Sequence, residues 1–128
     1  MQQLQFEPSW DKALSAQDRI EIEKIFNDTK HLNNSKIVFS PLQEAFNHNH
    51  DFLVTVLVHN FTSMPFSFQN IRLRYSIEGE QVAEHIFHLA KLTVPVQVSM
   101  PWTFIFPKES YLTKNAIVNG RLEVVENV

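Results

Sequence analysis

The sequence predicts a mainly β fold, an antiparallel sandwich of about six or seven strands preceded by one helix. Three observations lead there. Eleven phenylalanines, with many valines and isoleucines, favour strands through the body of the chain. From Lys36 onward the apolar residues recur with a period of two, and turn-forming residues separate the runs. Only one stretch near the N-terminus has helical spacing. The chain has 128 residues, 44% of them hydrophobic and 20% charged, which suits one globular domain spanning 1–128.

Ser15 stands where a helix N-cap should be, with Asp18 three residues later, close to a capping box. Asp18 and Glu21 lie in or near the first turn, where the helix dipole favours negative charge. Ile22, Ile25, Phe26 and Thr29 then follow at helical spacing. The predicted helix runs over about 16–29 and ends in the turn-forming Asn33-Asn34-Ser35. Trp10, just upstream, is expected to pack against the domain that follows.

The strands fall within 36–126. Ile37 and Phe39 begin the first, and Pro41 makes it an edge strand or a strand end. Asn47 to Asp51 reads as a turn. Phe52, Val54, Val56 and Val58 then fill one face of a strand, with Leu53, Thr55, Leu57 and His59 on the other. Apolar residues on both faces indicate a central strand. After a connection from Asn60 to Pro65, Ile71, Leu73, Tyr75 and Ile77 alternate with polar neighbours as a half-buried strand. Glu78-Gly79 is a hairpin turn signal. The returning strand, Val82 to Leu89, has an ambiguous face, read here with Ala83, Phe87 and Leu89 inward.

Val98, Met100, Trp102, Phe104 and Phe106 line one face of the next strand and are expected to point together into the core, the indole between the two sheets. Pro95 and Pro107 bracket it, and Pro101 implies an open edge or a bulge. Asn119-Gly120 signals a final turn before a terminal strand from Arg121 to Glu126. With only two glycines in the chain, the positions of Gly79 and Gly120 should both matter.

Chemistry is sparse by comparison. There is no cysteine, so disulfides, thiol nucleophiles and thiolate metal sites are excluded. A net charge of −3 gives no reason to expect binding to nucleic acid or to an anionic membrane surface. The opening residues have no signal-peptide pattern, and the longest apolar run, Leu53 to Val58, is too short to span a bilayer. The expected location is cytoplasmic, free or peripheral to the membrane.

His48, His50 and Asp51 are weak candidates for metal ligands. The donor types suit zinc, but a four-ligand site would need further ligands from distant loops. His85 and His88 are three apart on a strand and face opposite ways. His59, at a strand end, reads as a rim residue rather than a base. No Gly-x-Ser-x-Gly elbow and no phosphate-cradling loop occurs. Glu78 and Glu80 flank an exposed turn tip, where nothing drives two carboxyl pKa values apart. No catalytic residue and no cofactor is therefore expected, and enzyme activity is the least favoured class. Arg72 and Arg74 form a small basic row on a solvent face and are candidate partner contacts.

The stretches Trp10 with Leu14-Ser15, Leu53-Val-Thr-Val-Leu-Val-His-Asn60, the hairpin at Glu78-Gly79-Glu80, and Pro101-Trp-Thr-Phe-Ile-Phe-Pro107 together resemble the SLAP domain. That family occurs in bacilli and related Gram-positive bacteria, singly in small proteins and in two copies in the accessory Sec system S-layer assembly protein. The resemblance spans about Trp10 to Val125, and its distinctive part is the proline-bracketed aromatic segment. It implies a protein-interaction module that assists export or assembly of S-layer-type surface proteins, with no catalytic residues. This chain has one copy of the domain, unlike the assembly protein. Asn60-Phe-Thr-Ser63 also gives a loose similarity to immunoglobulin-like modules.

The fold-defining core is accordingly read as Trp10, Val54, Val56, Val58, Leu73, Tyr75, Trp102, Phe104 and Phe106. Partner contacts are expected at Arg72, Arg74 and Ile105, by strand addition at an edge or through an apolar patch. Two other classes compete. One is a metal- or small-ligand-binding sandwich using His48, His50 and Asp51. The other is a self-associating structural protein, a homodimer joined through an exposed sheet face carrying Leu57 and Ile105.

Overall fold

The computed structural model describes residues 2–32, 35–111 and 120–125. The described chain forms β1 (Gln3–Leu4), α1 (Pro8–Ala13), α2 (Ala16–Thr29), β2 (Ile37–Phe46), β3 (Phe52–Asn60), β4 (Phe66–Ile77), β5 (Glu80–Val94), β6 (Val98–Phe106) and β7 (Gly120–Val124). The strands make two sheets, ordered β1-β6-β3-β2 and β5-β4-β7. All pairings are antiparallel except the short parallel contact of β1 with β6. Asn33, Asn34, Asn119 and Glu126, which belong to two expected turns and the terminal strand, lie outside the described residues.

Helix α2 has the bounds its spacing predicts, and the Ser15 hydroxyl accepts the Asp18 amide at 3.0 Å. Its one buried residue, Ile22, follows from the apolar stripe, and the helix lies against β2 and β3. The expectation of a single helix is corrected by α1. Its start has Pro8 in the first turn and Glu7 capping the Ser9 amide at 3.1 Å. Six residues are too few for an apolar stripe, and none of them is buried. Strand β1 is shorter still, and two residues carry no periodicity.

Between the sheets lies one apolar core. Phe52, Val54, Val56 and Val58 face it from β3, Leu73 and Tyr75 from β4, and Val98, Met100, Phe104 and Phe106 from β6. Phe104 is completely buried and touches Phe39, Phe68 and Phe87, with ring centroids 6.0, 5.3 and 5.3 Å away. Trp102 corrects the expectation of a central indole. It points the same way as its alternate neighbours but is only half-buried, and it stacks on Trp10 of α1 at 6.3 Å. Strand β6 has β1 beside it only at Val98 and Ser99. At Trp102 it is therefore the margin of its sheet, and the large ring lies at the rim. Trp10 is likewise a half-buried cover for that rim rather than a core residue.

Irregularities explain where the period of two fails. Val82 and Ala83 are both buried because the β4–β5 register shifts between Tyr75 and Ser76. Strand β5 also runs past Leu89 to Val94, burying Leu92 and Val94. Glu78 and Gly79 have φ of 51° and 80°, the paired positive values of a tight hairpin turn. Pro41 sits on the edge strand β2, beside a register shift between Pro41 and Gln43.

Polar contacts also join the sheets. Asn60 on β3 is fully buried and donates to the Val94 carbonyl on β5 at 2.9 Å and to the Met64 carbonyl at 2.8 Å. Toward the other end, the Tyr75 hydroxyl on β4 donates to the Glu44 carboxylate on β2.

Candidate functional site

The 47–51 connection is held by its own residues. Asn47 Oδ1 accepts the amides of Asn49 and Asp51 at 2.9 and 3.0 Å, an Asx-type turn. Asp51 Oδ1 accepts the Lys108 amide at 3.1 Å, and its other oxygen accepts from Asn47 Nδ2 at 3.3 Å. His50 takes a φ of 67°, and its carbonyl accepts from the Tyr111 hydroxyl. His48 and His50 are exposed. Among the described residues, no three His, Asp or Glu side chains are gathered as a metal site would need. The Asp51 carboxylate instead ties the loop to the segment after β6.

Arg72 and Arg74 do not form a free basic row. Glu84 on β5 meets both, Arg72 at 3.0 Å and Arg74 at 3.4 Å, and Glu123 on β7 lies 3.9 Å from Arg74. Strand β4 is the middle of its sheet, so acids on both flanking strands reach its outer-face arginines.

His59 corrects the reading of a rim residue, for it has no exposed surface. Its Nε2 lies 2.9 Å from the Ser40 hydroxyl and its Nδ1 2.6 Å from the Ser99 hydroxyl. Gln2 Nε2 donates to Ser99 at 3.1 Å, and the imidazole stacks on Phe61 at 5.2 Å. Burial lowers the His59 pKa to about 4, so the ring is neutral at pH 7. One ring nitrogen then donates and the other accepts, and a hydroxyl serves either. With both nitrogens engaged and no solvent contact, the ring bonds three strands together. His59 occupies the strand face that also carries Leu57, which is likewise fully buried.

That burial also corrects the proposed self-association face. Leu57 is inaccessible, whereas Ile105 is 49% exposed. Helix α2 lies over β2 and β3, so the outer face of the first sheet is closed around Leu57 and open at Ile105. Burial also pushes the Glu44 carboxyl above the usual carboxylate range, partly offset by the Gly120 amide. His85 is pushed down, first by burial and then by the neighbouring His88.

The open surface with defined chemistry is the margin of β6. Gln5 N–H donates to the Ser99 carbonyl at 3.0 Å on the side away from β3. Backbone direction alternates along an antiparallel strand, so Pro101, Thr103 and Ile105 turn their polar groups the same way. Pro101 has no N–H to leave unpaired there. Among the described residues, no strand pairs with Thr103 or Ile105 on that side. Beside this margin lies a cleft lined by His85, Phe87 and Leu89 of β5 and by Trp102 and Phe104 of β6.

The model of the SLAP domain family matches residues 4–125, nearly the whole chain. The chain belongs to the SLAP domain family. No curated protein and no solved structure matches it. The matched span of this SLAP domain starts in β1 and ends just after β7, so it takes in the N-terminal strand and helix that cover part of β6. No helix among the described residues of the SLAP domain is long and apolar enough to cross a membrane.

Proposed function

We propose that this SLAP domain is a non-enzymatic protein-interaction module, accessory to the export or assembly of S-layer-type surface proteins in a Gram-positive bacterium. It would act from the cytoplasmic side, free or peripheral to the membrane. The observation that carries the reading is the family match over residues 4–125. The side-chain chemistry agrees with it. The buried histidine is locked between two serines, the arginines are neutralised by glutamates, and the Asp51 carboxylate is spent on its loop. We also read the four- and three-stranded sheets as an immunoglobulin-like arrangement.

The test is affinity purification of the tagged chain from a cross-linked Gram-positive host. Enrichment of translocase components or surface proteins over a tagged control is expected. Their absence would remove the export role.

A further inference from the structure

We propose that the open margin of β6, between Pro101 and Pro107, takes up an extended segment of a partner polypeptide as an added strand. This rests on reading the domain as a protein-interaction module, and it names the surface and the form of the partner. Thr103 and Ile105 each present an N–H and a C=O outward, whereas Pro101 is buried. Only another extended backbone offers alternating donors and acceptors at that spacing. The same margin already accepts one such segment, since β1 lies along it at Val98 and Ser99 through the amides of Gln3 and Gln5.

The side chains distinguish this margin from the others. Natural sheet edges are blunted by charged residues, prolines and bulges. Strand β2 carries Glu44 and a bulge at Pro41, β5 carries Glu84 and Lys91, and β7 carries Arg121 and Glu123. The window Trp102-Thr-Phe-Ile-Phe106 has no charge, and prolines stand only at its two ends. A strand laid there places alternate side chains on Ile105 at the outer face and into the cleft between Trp102 and Phe87. The partner segment is therefore extended, uncharged at its centre, and apolar at alternate positions.

The test pans a phage-displayed library of random short peptides against the full chain. Enriched peptides should show alternating apolar residues and should slow amide exchange at Thr103 and Ile105. Ile105→Lys puts a charge on the margin, and Thr103→Pro removes one outward donor. Each should weaken binding roughly tenfold, about the effect of losing one or two hydrogen bonds. Met64→Lys, at a distant exposed loop, should leave binding unchanged. Thermal melts establish that each variant is folded, and Ile105→Lys decides the matter if Thr103→Pro is not. The proposal is overturned if no peptide enriches over target-free panning, or if peptides bind folded Ile105→Lys as well as the parent chain. Recovery of the same export or surface proteins by Ile105→Lys in cells would also overturn it, while leaving the module reading intact. A parent chain that recovers none would instead sink the export role, whatever the peptides do.

Discussion

Gly120 lies directly against the ring of Tyr75, so closely that a Cβ at that position would stand 1.9 Å from Tyr75 Cζ and from its hydroxyl oxygen. Tyr75 is itself pinned between Phe52, at 5.1 Å, and the Glu44 carboxylate, so it has no room to yield. Gly120→Ala should therefore cost about 3 kcal/mol, the upper range for overfilling a packed site. Urea denaturation checks this, and a loss under about 0.5 kcal/mol would mean that the ring can move aside. Gly79, with nothing near a Cβ, is needed for its positive φ alone.

Phe104→Ala removes the ring that joins Phe39, Phe68 and Phe87. A loss of about 3–5 kcal/mol is expected, as for large-to-small changes at fully buried aromatic positions. The variant should also lose its near-ultraviolet circular dichroism at lower urea than the parent chain.

Acidification should weaken the fold through His59. Its folded pKa of about 4 lies below the ordinary value of 6.5, so the unfolded chain takes up the proton first. Stability is fully present above pH 6.5 and falls steadily as the pH drops toward 4, by about 3 kcal/mol for a shift of that size. His85, also pushed down, acts in the same direction. Glu44, pushed up, acts oppositely: its contribution is present below its unfolded pKa and fades as the pH rises through the folded one. Urea midpoints at several pH values should fall from pH 7 to 4.5, and His59→Gln should flatten most of that slope. An equally steep slope in the variant would reassign the effect.

Trp10→Ala removes the stack on Trp102 and uncovers the rim. Because α1 buries no residue, the expected cost is small, about 1 kcal/mol. The emission of the remaining tryptophan, Trp102, should shift to the red. An unshifted spectrum would mean that another group shields the indole.

Glu84→Gln tests the paired arginines. Both guanidiniums remain more than a third exposed, so the loss should be under about 1 kcal/mol and should shrink in high salt.

Local signals were the ones legible in the sequence. Ser15 and Asp18 marked the start of α2, and the double apolar face of β3 placed it centrally in its sheet. What a residue meets across the molecule was not legible. Leu57 and His59 are buried because α2 returns over β2 and β3, and Arg72 and Arg74 are neutralised by acids from two other strands. Trp102 obeys the strand period yet lies at a rim, because the period gives a direction and not a distance from the sheet margin. Helix α1 and strand β1 are too short to show periodicity, so the cover on β6 was invisible. Of the candidate site, Ile105 and the proline-bracketed window were visible as residues, but the outward row of backbone groups needed the pairing with β3.

Apolar faces pressed together resist separation far better than sideways slip, because burial has no preferred direction. The bridges Asn60–Val94 and Tyr75–Glu44, one toward each end, act as dowels between two boards. Cutting either should loosen the two sheets at that end without exposing the interior.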